Sequence, residues 1–197
     1  MSLCTRPRLL GALFPLLFLA MVSCGGGGDG AAPEPAGPAT RLHYVNPPSA
    51  GFRLVADPAT NDTRHLVLNL VGPVGRPAQG VAMFLTCDGT RVSWGAPGGS
   101  DPHARAGSAF TLGAVPLFIS RQPQGTSDLQ VGLFQTGAAP VILDGASILS
   151  VALDLKADCL SGSRITLAPT DQKASQYLDG QGLKQPLVLA VGTLTAQ

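Results

Sequence analysis

Glutamate and lysine are almost missing from this chain. Of its 197 residues one is Glu and three are Lys, and Asp, Glu, Lys and Arg together make up 13%. That is about half the usual charged fraction of a globular protein. The preferred residues of exposed helix faces are therefore scarce, which argues against bundles and coiled coils. The 25 Gly and 17 Pro would interrupt long helices in any case. No sign of charge dominates: 13 basic and 12 acidic residues give a formal net charge of +1. There is no field to draw in nucleic acid. Aromatics make up 5%, with a single Trp, so a sugar-stacking platform has little to be built from. What is abundant is hydrophobic residues, at 45%. They suffice for one core, and one domain is expected at this length.

Arg6 and Arg8 precede a mostly apolar run, Leu9 to Val22. As a helix its 14 residues reach about 21 Å, short of a bilayer core of about 30 Å. A basic start and a short apolar stretch read as a secretory signal. The run closes Leu19-Ala20-Met21-Val22-Ser23-Cys24. This resembles the lipobox of bacterial lipoproteins, with Met21 where the family usually has Leu. The resemblance implies cleavage after Ser23 and lipidation, palmitate included, of Cys24. The alternative is an ordinary secretory signal cut nearby. Gly25 follows the cysteine where an Asp would favour inner-membrane retention, so the outer membrane is the expected address, facing the periplasm. Residues 25–40, GGGGDGAAPEPAGPAT, have no hydrophobic period and the composition of a tether. The expected organisation is a signal at 1–23, the lipidated Cys and linker at 24–40, and a folded domain at 41–197.

Cys4 leaves with the signal, and Cys87 and Cys159 remain as an even pair in an oxidising compartment. Cys87 continues the series Val81, Met83, Leu85. Cys159 continues Leu149, Val151, Leu153, Leu155. Both series read as inward strand faces, so a Cys87–Cys159 disulfide is expected. Two buried free thiols are the alternative. No CxxC occurs and no His lies near either Cys, so no metal site is expected there.

Period-two alternation marks 64–71, 129–135 and 147–155 strongly. Leu66, Leu68 and Leu70 share one face, and His65 and Asn69 the other. Leu149, Val151, Leu153 and Leu155 face in, with Ser150 and Asp154 out. Weaker runs are 41–46, 52–56, 80–87, 91–94, 115–120, 163–168 and 187–195, separated by Asp-Pro, Asp-Gly, Asn-Asp and Gly turns. The pattern predicts an all-β chain, an immunoglobulin-like or jelly-roll sandwich of about nine strands. Residues 95–109 read as a long polar loop and 170–178 as a short helical turn.

The second half resembles cohesin-like domains. A hydrophobic strand ILSVALDLKA, a Gly turn, the strand Ser163 to Leu167, the segment Tyr177-Leu178-Asp179-Gly180-Gln181-Gly182 and a closing strand 187–195 carry the likeness. Gly80 to Leu85 fits a front-sheet strand. The resemblance implies a nine-stranded jelly-roll sandwich that binds another protein. The cohesin partner, a dockerin, is not carried over, because no contact residues can be matched.

Catalytic motifs are lacking: no G-x-S-x-G elbow, HExxH or EF-hand loop occurs. His43, beside Arg41, and His65 read as solvated strand residues. Asp171 and Asp179 with the turn 180–182 offer oxygen ligands suited to calcium, but Asp serves turns equally, and that reading is preferred. Trp94 is in phase with Val92 and reads as core, yet it opens the loop holding Asp101 and His103. Trp94, Asp101 and His103 are therefore the candidate binding-loop residues. The expectation is a non-enzymatic binding or scaffold lipoprotein without cofactors, engaging another envelope protein. A carbohydrate-binding module and a periplasmic hydrolase are the alternatives. A flat aromatic strip would favour sugar, an apolar uncharged patch protein, and a His-Asp-Ser cleft an enzyme.

Overall fold

The structure is a computed structural model that describes residues 36–98, 101–110, 112, 117–135 and 139–197. Cys4, Cys24, the expected signal and most of the expected linker lie outside these residues. Every regular element within them is a strand. The first half contributes β1 (Leu42–Val45), β2 (Phe52–Ala56), β3 (His65–Val71), β4 (Pro77–Cys87), β5 (Val92–Gly95), β6 (Ala104–Ala106) and β7 (Leu117–Arg121). The second contributes β8 (Asp128–Phe134), β9 (Val141–Ile142), β10 (Ser147–Leu155), β11 (Arg164–Ile165) and β12 (Leu167–Pro169). The chain closes with β13 (Gln176–Asp179), β14 (Lys184–Pro186), β15 (Leu189–Ala190) and β16 (Thr193–Ala196).

Two large sheets and one small one result. The six-stranded sheet runs β15-β2-β3-β10-β5, with β6 on β10. The seven-stranded sheet runs β14-β13-β4-β8-β7, with β9 and β12 on β4. The third is β1-β16-β11. Alternation explains how they close on one another. Leu66, Leu68 and Leu70 register against Leu153, Val151 and Leu149. From the other sheet Val81, Met83 and Leu85 register against Leu133, Val131 and Leu129. All twelve side chains are at most 2% exposed and share one core. This is the expected all-β sandwich, and each of the ten alternating runs overlaps a strand.

Several expectations are corrected. The count of about nine strands becomes sixteen strand segments among the described residues, because 163–168 and 187–195 each split in two and β6, β9, β13 and β14 form outside the alternating runs. Residues 95–109 include β6, which pairs with β10. Residues 170–178 hold no helix: a turn leads into β13, where Tyr177 alternates into the core. Ser150 faces outward as expected but is covered there: it is 1% exposed, and its hydroxyl donates to Asn69 Oδ1 at 2.7 Å. The folded body also begins before residue 41, with Pro38 bridged to Leu160 and Ala39 buried.

The Cys87–Cys159 disulfide is not formed. Both are free, buried thiols. Cys87 is inward on β4 as its phase requires. Cys159 is not on the strand it was phased with: β10 ends at Leu155, and a turn follows. There its carbonyl accepts the Ala39 amide at 2.7 Å. Counting by twos fails once the chain leaves extended geometry.

Candidate functional site

The two faces of the sandwich differ. In β3 and β10 both alternate sets are largely buried, whereas β8 and, from Val81 on, β4 alternate between buried and partly accessible, and β7 between partly and fully exposed. The accessible face lies on the outer side of the seven-stranded sheet. Register aligns its residues into lateral rows. Gln176, Ala82, Gly132 and Ile119 form one, and Phe84, Gln130 and Arg121 the next. Phe134 stands between Gly80 and Leu117 in a third.

Glycine shapes this face. A Cβ on Gly80 would lie 2.2 Å from the Phe134 ring, and one on Gly132 would lie 3.1 Å from it. The missing methyls let that ring lie down on the sheet. A shallow groove of about 290 Å³ results, lined by Ala82, Phe84, Ile119, Gly132 and Phe134, with Arg121 and Lys173 at its rim. Ile119 is 56% and Leu117 47% exposed. The Lys173 ammonium lies 5.4 Å from the Phe84 ring centroid, within cation–π range. The arrangement is an apolar floor with two cations on its margin. It offers contact area and desolvation rather than reactive groups.

The candidate loop residues lie elsewhere. Trp94 is 7% exposed, in the core, and its Nε1 donates to the Ser127 carbonyl at 2.8 Å. It cannot serve as a binding-loop residue. Asp101 accepts the amides of His103 and Ala104 and the hydroxyl of Ser120. Burial opposes its charge, but the Ser120 and amide bonds outweigh burial and lower its pKa. Ser120 alternates away from Ile119 and Arg121, so Asp101 fastens the loop on the other side of β7. His103 is half-buried, and its Nδ1 meets no partner among the described residues. The structure brings none of the three onto the open face.

Two surface pairs involve histidine. His43 Nδ1 lies 2.7 Å from Asp62 Oδ1, and His65 Nδ1 lies 2.6 Å from Asp154 Oδ1. Ser93 registers against Asp154 on the side away from His65. The order is therefore Ser-Asp-His, which leaves the imidazole on the wrong side of the carboxylate to activate that hydroxyl. Asp179 accepts the amides of Gln181 and Leu183 and the Gln185 side chain, and so organises its own turn, the reading preferred over a calcium ligand.

The face residues were missed because only the inward series was read in 80–87, 115–120 and 129–135. The available signal was apolar residues in the opposite phase: Ala82, Phe84, Ile119 and Phe134.

No protein-family profile matches the chain, and no curated protein matches it. Solved structures do match, and they define a class: the domain has the cohesin fold. The sixth cohesin of scaffoldin B from Acetivibrio cellulolyticus, solved in complex with the Cel5 dockerin, is 15% identical with a TM-score of 0.52. That match covers 82% of this chain and 99% of the other. The type II cohesin A11 of Bacteroides cellulosolvens is 10% identical with a TM-score of 0.57, covering 74% and 98%. The second type II cohesin module of an Acetivibrio cellulolyticus adaptor scaffoldin is 8% identical with a TM-score of 0.53, covering 81% and 97%. At these identities the likeness is one of fold.

Proposed function

We propose that this is a non-catalytic protein-binding module that docks its partner on the open face of β4, β8 and β7. Lipid on Cys24 holds it at the outer membrane, where the partner is another envelope protein. The observation that carries the reading is the apolar surface of the exposed Leu117 and Ile119 beside the partly exposed Phe84 and Phe134 on the sheet face that the fold leaves uncovered. The neighbour solved with a dockerin supports a protein as the ligand class. Arg121 and Lys173, without a salt-bridge partner among the described residues, favour a partner with carboxylates flanking an apolar stripe. The membrane anchor rests on the lipobox resemblance.

The test places a photocrosslinking residue at Ile119 or Phe84, with a control at Thr195 on the small sheet, in cells carrying the full chain. One discrete adduct from the first two positions and none from the third is expected. Ile119→Asp should abolish that adduct from Phe84 while leaving thermal stability within about 0.5 kcal/mol, as for an exposed site. Adducts independent of position, or none from the face, would overturn the assignment.

A further inference from the structure

A second cleft lies at the opposite end of the sandwich from the point where the chain joins the body. The Ala39 carbonyl accepts from Arg64, just before β3. The cleft begins just after β3, one strand of about 23 Å further on, and is an open depression of about 530 Å³. Arg76, Tyr177, Asp179 and Gln185 line it, with Val74 and Pro77 as apolar walls. It shares no lining residue with the groove on the open face.

Its polar groups are fixed before any ligand arrives. Gly75 adopts φ 81° and donates its amide to the Leu143 carbonyl at 2.8 Å. The Arg76 carbonyl accepts the Leu143 amide at 2.9 Å. Arg76 Nη1 donates to the Tyr177 hydroxyl at 2.7 Å, and its guanidinium lies 5.8 Å from that ring's centroid. Tyr177 is itself buried against Phe52, with ring centroids 5.0 Å apart. The Asp179 carboxylate accepts the Gln185 amide at 2.9 Å and the amides of Leu183 and Gln181 at 3.0 and 2.9 Å. The Gln185 bond, followed by the two backbone bonds, lowers its pKa and keeps it ionised.

The cleft thus holds one fixed cation and one fixed anion, neither in a salt bridge among the described residues. An anionic ligand would meet Asp179 and a cationic one Arg76. A purely apolar ligand would strip water from both without replacing its hydrogen bonds. A neutral molecule carrying adjacent donors and acceptors satisfies both groups. Val74, 75% exposed, offers surface to its C–H face. We propose that this cleft binds a neutral saccharide, Arg76 donating to its hydroxyl oxygens and the Asp179 and Gln185 oxygens accepting from its hydroxyls. The site stands independently of the docking face.

The test is amide chemical-shift titration of the ¹⁵N-labelled full chain in detergent. The probes are cellobiose and N,N′-diacetylchitobiose as neutral disaccharides, digalacturonate as an acidic one and glucosamine as a cationic one. A neutral disaccharide is expected to shift Gly75, Arg76 and Gln185. Arg76→Gln and Gln185→Leu should each weaken that binding about tenfold or more, the loss of one hydrogen bond to a charged or buried partner. Ile119→Asp should leave it unchanged. If Arg76→Gln fails to fold, Gln185→Leu alone decides. No shift with either neutral disaccharide, stronger binding of the acidic or cationic probe, or shifts that persist in the variants would overturn the proposal.

Discussion

At Cys87 a single side chain separates two chemistries that the sequence leaves open. A disulfide needs a partner Sγ; a buried thiol needs only apolar neighbours. Here the thiol is held in the core, and burial first, then the nearby Asp88 charge, push its pKa up to about 12 despite Lys156. Such a group has little thiolate to react. Native protein at pH 9 should alkylate at Cys87 two to three orders of magnitude more slowly than the same protein in denaturant, by about the ratio of thiolate fractions. The linkage has a definite sign. Because the folded pKa is the higher one, the thiol's contribution to stability is complete below the unfolded value of 9.0 and is lost as pH rises toward 12. Cys87→Ala, with nothing to ionise there, should lose less stability over that range in urea titrations. Recovery of a peptide pair joined through Cys87 and Cys159 from non-reduced native protein would contradict the free-thiol state. Trp94 makes the same point more simply: alternation with Val92 places it in the core, and the structure adds the Ser127 carbonyl its indole requires.

Elements were legible where one face is apolar and the other is not. In 129–135 and 147–155 the inward series is unbroken, and β8 and β10 follow within a residue. Residues 170–178, whose end overlaps β13, read as a helical turn because Asp171, Lys173, Ser175 and Gln176 lack alternation. In β13 the outcome differs. Its strand state comes from pairing with β4, a contact about a hundred residues away. Short elements of this kind are made by neighbours rather than by propensity. The junction of β1, β2 and β16 is similar. The Tyr44 hydroxyl donates to the Leu54 carbonyl at 3.3 Å and accepts the Gly192 amide at 2.6 Å. Gly192 has no room for a side chain, since a Cβ there would stand 1.9 Å from the Val45 carbonyl oxygen and 2.9 Å from the Tyr44 ring. Gly192→Ala should therefore force this junction apart and destabilise the domain by about 1–3 kcal/mol, the usual range for overpacking. Calorimetry of variant and wild type decides it, and an unchanged melting temperature would show that the junction gives way freely.

For the whole molecule, polarity is the functional question. The chain joins the body where Ala39 meets Cys159 and Arg64, and the last residue, Gln197, bonds back to Thr40 and Arg41 at the same end. Our proposal places the tether there, leaving the open face along the side and the Arg76 cleft at the far end. If Cys24 carries the anchor, Cys24→Ser should yield uncleaved or soluble protein, because without the thiol the acyl chains that the lipoprotein resemblance implies are not attached and nothing apolar holds the chain in the bilayer. Membrane fractionation checks this, and processed Cys24→Ser protein still at the outer membrane would overturn the lipobox reading.

What the sequence determined by itself was local: the all-β class, the phase of each long strand, and thus Leu66, Val81, Met83, Val131 and Val151 as core. These follow from side chains alternating across an extended backbone, a rule needing no knowledge of neighbours. The likeness to cohesins rested on the same local patterns, and the fold agrees with it. What only the tertiary structure decided was which of two sheet faces stays open, where Asp101 is tied, that Cys159 falls past the end of its strand, and that Arg76 and Asp179 share a cleft. Each depends on strand order and on contacts dozens of residues apart. Outward positions such as Phe84 and Ser150 carry no local sign of whether another segment will cover them.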